Sequence, residues 1–206
     1  MKLVIIGGGG NLKSIVSANL YNKNVEFEGY TDVNNNGTIL GLKYLGYENE
    51  INLNNQNVVI SISYLKTPKN RDLRKHLIES LSQQGAIFPN LISPCCSLGS
   101  DINKTTGNLF INSVFVNTNV SIGNFNFFNS KVIIEHDVEI GDNNIFSPGV
   151  IIGGESKIGN NIFFGIGVIV GDGISICSNV LIGMGSIVTK SITKPGIYFG
   201  VPAKLK

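Results

Sequence analysis

Two histidines, three cysteines and a run of four glycines are the residues of this sequence with chemistry to offer. His136 stands between Glu135 and Asp137. An imidazole titrates close to neutrality and can take a proton from a reacting group. A carboxylate beside it fixes the tautomer and steadies the imidazolium. The same three residues also read as solvated charges on a strand face, where a lone histidine is ordinarily inert. His76, beside Arg74 and Lys75 on a segment of helical spacing, reads as part of a solvated face. Cys95, Cys96 and Cys177 show no ligand-like spacing and no CxxC, so no metal site is expected. An odd, sparse set of thiols fits a reducing compartment.

Gly7, Gly8, Gly9 and Gly10 follow the β-branched run Lys2 to Ile6 and precede Asn11 and a helical pattern. Backbone N–H groups in such a turn, aided by a helix N-terminus, can cradle a phosphate. Tight turns between strand and helix also use glycine for steric reasons, and both readings stand. Asp32, at the end of the second strand-like segment, is placed like an acidic residue that contacts a ribose or base.

Two kinds of element must position these groups. Residues 1–88 alternate between strand-like and helix-like segments. Leu12, Ile15, Val16 and Leu20 follow helical spacing, Val25 to Thr31 and Val58 to Ser63 read as strands, and Leu73, Leu77, Ile78 and Leu81 restore the helix. Strand, glycine turn, helix, strand implies an α/β, Rossmann-like domain on a parallel sheet. From residue 89 to 206 a six-residue period takes over. Every sixth residue from Phe110 to Val188 is apolar, and glycine often follows it. Such hexads are the mark of a parallel β-helix, with three of them making a triangular coil of about 18 residues. The apolar residue points into the prism, and the glycine relieves crowding at the corner. Sorted by eighteen, Phe110, Phe128, Phe146 and Phe164 fall in one column and should stack. An antiparallel sandwich would instead show period two with irregular turns.

Composition narrows the field. A hydrophobic content of 42% with 15% charged residues is that of a globular protein, and a net charge of +2 supplies no basic field for nucleic acid. The apolar start of the chain gives way to glycine well short of a secretory segment, and no run approaches the ~20 residues of a membrane span. No membrane association is expected, and the cytoplasm is the expected location.

The hexads lead into Gly200-Val201-Pro202-Ala203-Lys204, and this ending resembles that of the hexapeptide acyltransferase superfamily. With the N-terminal glycine loop, the chain resembles the sialic-acid O-acetyltransferase-like family of sugar acyltransferases. Within it, the chain is most similar to N-acetyltransferases of UDP-4-amino-4,6-dideoxy sugars. The resemblance implies a left-handed coil, a homotrimer, acetyl-CoA as donor in the groove between neighbouring β-helices, and a nucleotide-sugar held by the N-terminal domain. It also implies that His136 is the general base, with Asp137 its orienting partner. It places Ser147, Gly154, Gly165 and Gly167 along the donor, with the Gly154 amide approaching the thioester. Gly7 to Gly10, Asn11 and Asp32 would then contact the nucleotide-sugar.

The chain departs from the family pattern at four places. Asn11 stands where a histidine is frequent, and Ser61-Ile62-Ser63-Tyr64 where a glycine segment is frequent. Ser93-Pro94 replaces His-Pro, and Ile145 replaces a second histidine. Direct transfer from a thioester needs no cysteine nucleophile. His136 can serve an amine or a hydroxyl acceptor, so sugar O-acetylation is an alternative, and a non-catalytic binding scaffold is a third.

Overall fold

The computed structural model describes residues 1–63 and 68–206, so Tyr64 lies outside the described residues. It divides into two compact units, Met1–Pro94 and Cys95–Lys206.

The first unit contains β1 (Lys2–Ile6), α1 (Gly10–Ala18), β2 (Glu26–Thr31), β3 (Val58–Ile60) and α2 (Pro68–Gln83). The strands form a parallel sheet in the order β2-β1-β3. The central strand is apolar from Leu3 to Ile6 and buried throughout, as a strand covered on both faces must be. Helix α1 buries Leu12, Ile15 and Ala18. It stops sooner than its apolar spacing implies, because the Asn19 side chain donates to the Ile15 carbonyl and ends the last turn. Leu20 lies beyond that end and is exposed. On α2, His76 is exposed and sits 3.3 Å from Glu79. Arg74 departs from the expected solvated face. It is 2% exposed, it donates to the Ile62 carbonyl at 2.8 Å, and burial pulls its pKa down to about 10.

The second unit is a parallel β-helix. Two-residue strands recur every six residues and pair in parallel with the strands eighteen residues away, as Ile133–Ile134 does with Phe115–Val116 below and Ile151–Ile152 above. Three sheets form the three faces of the prism, and the apolar residue of each hexad points inward into one continuous core. The four phenylalanines stack as the eighteen-residue register requires, with ring centroids 4.6, 4.7 and 4.8 Å apart and planes within 8° of parallel. The chain ends in Gly196–Phe199, which pairs parallel with Val180–Ile182 and antiparallel with Lys204–Leu205.

The corners divide the glycine's work in two. Three residues after the inward residues from Val116 to Ile182 the backbone turns left-handed, at Asn119, Phe125, Lys131, Asp137, Asn143 and onward to Gly185. Asparagine tolerates that conformation, and glycine takes it freely at Gly149 and Gly167. The glycines directly after the inward residue answer a different need. A Cβ on Gly141 would sit 2.9 Å from the Gly159 carbonyl oxygen in the next coil. Close approach of coils, and not φ, keeps side chains out there.

Polar side chains complete the coils. Asn108, Asn126 and Asn144 are fully buried one above another. Each donates to a carbonyl in its neighbourhood and accepts the N–H of the residue eighteen positions on, as Asn144 does from Ile162 at 2.8 Å. Some corner N–H groups donate to side chains one coil on, as Thr106 does to Asn124 Oδ1 at 3.0 Å, and others to backbone carbonyls one coil back, as Asp137 does to Thr118 at 3.2 Å.

Candidate functional site

His136 lies at a corner, two residues past the inward Ile134, in a column with Thr118, Gly154 and Asp172. Along another corner column, that of Thr106, Asn124, Asp142 and Asn160, each backbone N–H donates to the side chain eighteen residues on. Asp142 Oδ1 takes the Asn124 N–H, and Asn160 Oδ1 takes that of Asp142. In the His136 column such a ladder is interrupted, because the residue above is Gly154. The missing side chain leaves room for the imidazole: a Cβ on Gly154 would lie 2.8 Å from His136 Cε1 and 2.9 Å from Nε2.

The ring is half exposed, at 50%, and its Nδ1 lies 2.8 Å from Asp137 Oδ2. Asp137 occupies the left-handed corner at φ 59°, which turns its short side chain back toward the ring. Its other oxygen accepts a hydrogen bond from the Asn119 side-chain amide one coil below. The hydrogen bond to Asp137 raises the His136 pKa above its ordinary 6.5; desolvation opposes it, and the charges of Asp137, Glu135 and Glu155 add to the rise. Asp137 is held below the usual carboxylate range, first by the Asn119 amide and then by His136. Glu135 faces away from this pair and accepts from the Asn117 amide at 2.9 Å. With Nδ1–H donated to Asp137, Nε2 is the basic nitrogen, and it stands over the bare Cα of Gly154. The arrangement can take up a proton from a group brought to Nε2.

The remaining expected residues divide into two sets. The Gly154 N–H donates to Asp172 Oδ1 at 2.9 Å. Ser147, Gly165 and Gly167 stand at a different corner, separated from His136 by the width of the face that carries Ile151–Ile152. Their N–H groups bridge coils, donating to Phe164, Ile182 and Pro148 respectively. One chain therefore does not bring them to the imidazole.

In the first unit, two of the four glycines have a steric cause. Gly7 adopts φ +102°, and a Cβ on Gly8 would strike the Tyr30 ring at 2.7 Å. Their N–H groups are engaged, by the Thr31 carbonyl and by Asp32 Oδ2 at 2.6 Å. Asp32 also accepts from the Asn34 N–H at 3.0 Å, so its carboxylate closes the loop. Gly9 and Gly10, at the start of α1, face open space. Asn11 donates to the Ser61 carbonyl and to Ser63 Oγ, tying the loop to the end of β3. Among the described residues no three His, Cys, Asp or Glu side chains gather as metal ligands, and no helix is long and apolar enough to cross a membrane.

Sequence spacing alone missed Asn117, Asn119 and Asp172. The signal was available in the eighteen-residue register, since each stands one coil from a residue already singled out.

Residues 119–154, which contain His136, Asp137 and Gly154, match the family model for bacterial transferase hexapeptide (six repeats). The coils are hexapeptide repeats. No curated protein matches the sequence. Solved structures share the fold over the whole chain. The acetyltransferase domain of PglB from Neisseria gonorrhoeae FA1090 is 21% identical, with 100% of this chain and 99% of that one covered at a TM-score of 0.88. PerB from Caulobacter crescentus, in complex with CoA and GDP-perosamine, is 23% identical, with 100% and 97% covered and a TM-score of 0.82. WeeI from Acinetobacter baumannii AYE is 21% identical, with both chains covered completely and a TM-score of 0.76.

Proposed function

We propose that the chain is an acetyl-CoA-dependent N-acetyltransferase acting on the amino group of a nucleotide-linked amino-sugar, with a UDP-4-amino-4,6-dideoxy sugar as the expected acceptor. The observation that carries this reading is the His136–Asp137 pair, with Nε2 presented over Gly154 inside the hexapeptide match. The neutral amine attacks the thioester carbonyl and forms a tetrahedral intermediate. His136 Nε2 takes the proton that the nitrogen must lose, and Asp137 steadies the imidazolium. Collapse expels the CoA thiolate, which recovers the proton from Nε2. The amide leaves with the acetyl group, and no acyl-enzyme forms. For the Gly154 N–H to hold the developing oxyanion, it exchanges Asp172 for the thioester oxygen.

The site is completed between copies. Along one face of the prism, Phe115, Ile133, Ile151, Ile169 and Ile187 form an outward apolar column, whereas Ser121, Glu139, Lys157 and Ser175 line another. His136 and the Ser147–Gly167 corner flank the apolar face on opposite sides. Packing that face against a second copy sets one copy's imidazole beside the other's donor corner. Head-to-tail contacts of this kind close into a ring, here a homotrimer of left-handed β-helices with acetyl-CoA in each groove. In the first unit, assigned as a Rossmann-like domain, the open side of Gly9 and Gly10 accepts the nucleotide phosphates, with Asn11 and Asp32 shaping the loop. A cytoplasmic location follows from these substrates.

Thiol release from acetyl-CoA, followed with UDP-, GDP- and dTDP-linked amino-sugars, tests the assignment. Turnover with an amino-sugar and none with its hydroxyl counterpart is expected. Turnover with the hydroxyl sugar alone would replace N- with O-acetylation. No turnover with any acceptor would leave a binding scaffold.

A further inference from the structure

We propose that Asn119 is a positioning residue of the His136 centre, its amide clamping the Asp137 carboxylate so that the imidazole is held in one orientation. The inference rests on the general-base reading of His136.

Asn119 and Asp137 occupy the same left-handed corner in successive coils, at φ 57° and 59°. Stacking of the coils therefore sets one side chain over the other. The Asn119 amide donates to Asp137 Oδ1 while His136 Nδ1 sits 2.8 Å from Oδ2, so the carboxylate is gripped through both oxygens. Asp137 is 46% exposed, and the ring it orients is 50% exposed. With a single partner, a carboxylate in that setting would sample several rotamers and swing the imidazole with it. A second hydrogen bond from the opposite side removes that freedom.

The residue type suits the task twice over. Asparagine accepts the left-handed backbone without glycine's loss of a side chain. Its amide is a neutral donor, so it holds the carboxylate while leaving its full charge to face the imidazolium. The other charged groups near the ring, Glu135 and Glu155, are anionic as well, and Asp172 is bonded to the Gly154 N–H beside it. Among the described residues no Lys or Arg forms an ion pair with Asp137. A similar corner pair, Asn143 to Asn161 at 2.8 Å, joins coils with no ionisable member. A purely structural role for Asn119 is therefore the rival account, and the test must separate the two.

The sequence has two histidines, so the His136 imidazole C–H resonance can be titrated by NMR in the full-length protein. Asn119→Gly keeps the left-handed corner free of strain and removes the side chain with its amide. It should move the His136 pKa down toward 6.5 and lower kcat about tenfold, with the KM for acetyl-CoA within about twofold. Asp137→Asn should move the pKa the same way. In the Asp137→Asn background, Asn119→Gly should change kcat by less than about twofold, because the amide acts through the carboxylate. An unchanged His136 titration in Asn119→Gly with a lowered melting temperature would make the contact structural and overturn the proposal. So would equal effects in both backgrounds. A shifted titration in a protein that turns over no acceptor would refute the transferase reading while leaving the clamp in place.

Discussion

Replacing His136 with alanine is expected to cut acetyl transfer by about 10²–10⁴-fold while leaving the melting temperature unchanged within error. The two halves of that statement come from the same geometry. The imidazole is half exposed, lies outside the prism core, bonds to Asp137 and stands over Gly154. Its removal leaves no cavity and no buried orphan. The rate, by contrast, loses the imidazole proposed to accept the proton, and Asp137, held below the usual carboxylate range by the Asn119 amide and by His136, is a poor substitute. Single-turnover thiol release separates chemistry from product release and is the appropriate measurement. A His136→Ala protein that transfers at the wild-type rate would remove the imidazole from the mechanism.

Gly154→Ala carries the second large effect, about 10²-fold on kcat. An added Cβ would sit 2.8 Å from Cε1 and 2.9 Å from Nε2, closer than carbon atoms tolerate, so the ring must give way. It can do so cheaply, since it is the free end of a side chain facing solvent. The result is a protein as stable as the parent in which Nε2 points elsewhere, and a misplacement of about 1 Å is worth about that loss. Gly141→Ala is the informative control. Its Cβ would meet the Gly159 backbone, which cannot move aside, so that variant should lose stability. Equal melting losses in both variants, with no selective loss of kcat in Gly154→Ala, would show that Gly154 serves only coil packing.

The path from sequence to site was uneven for physical reasons. Inward positions of a β-helix are dictated by burial, so the six-residue period alone implies the core and the phenylalanine stack. Outward positions answer to hydrogen bonds across coils, which a six-residue reading does not reveal. Asn126 and Asn144 look like loop residues in sequence and are buried ladder members in space. Asp172, which no six-residue pattern singles out, accepts the Gly154 N–H. In the first unit the glycine run divides. Gly7 and Gly8 have steric causes, whereas Gly9 and Gly10 have none from the protein itself. Arg74 was misplaced because helical spacing put Leu73 inward, whereas the helix turns Leu73 out and buries the guanidinium against the Ile62 carbonyl.

The imidazole as base can be tested by comparing two titrations. His136 must be neutral to accept a proton, and Asp137 raises its pKa above 6.5, so kcat/KM should fall as pH drops through that raised value. The acid limb of the rate profile and the NMR titration of His136 are expected to coincide above pH 6.5, and Asp137→Asn should carry both downward together. A rate limb that stays in place while the imidazole titration moves would contradict His136 as the base.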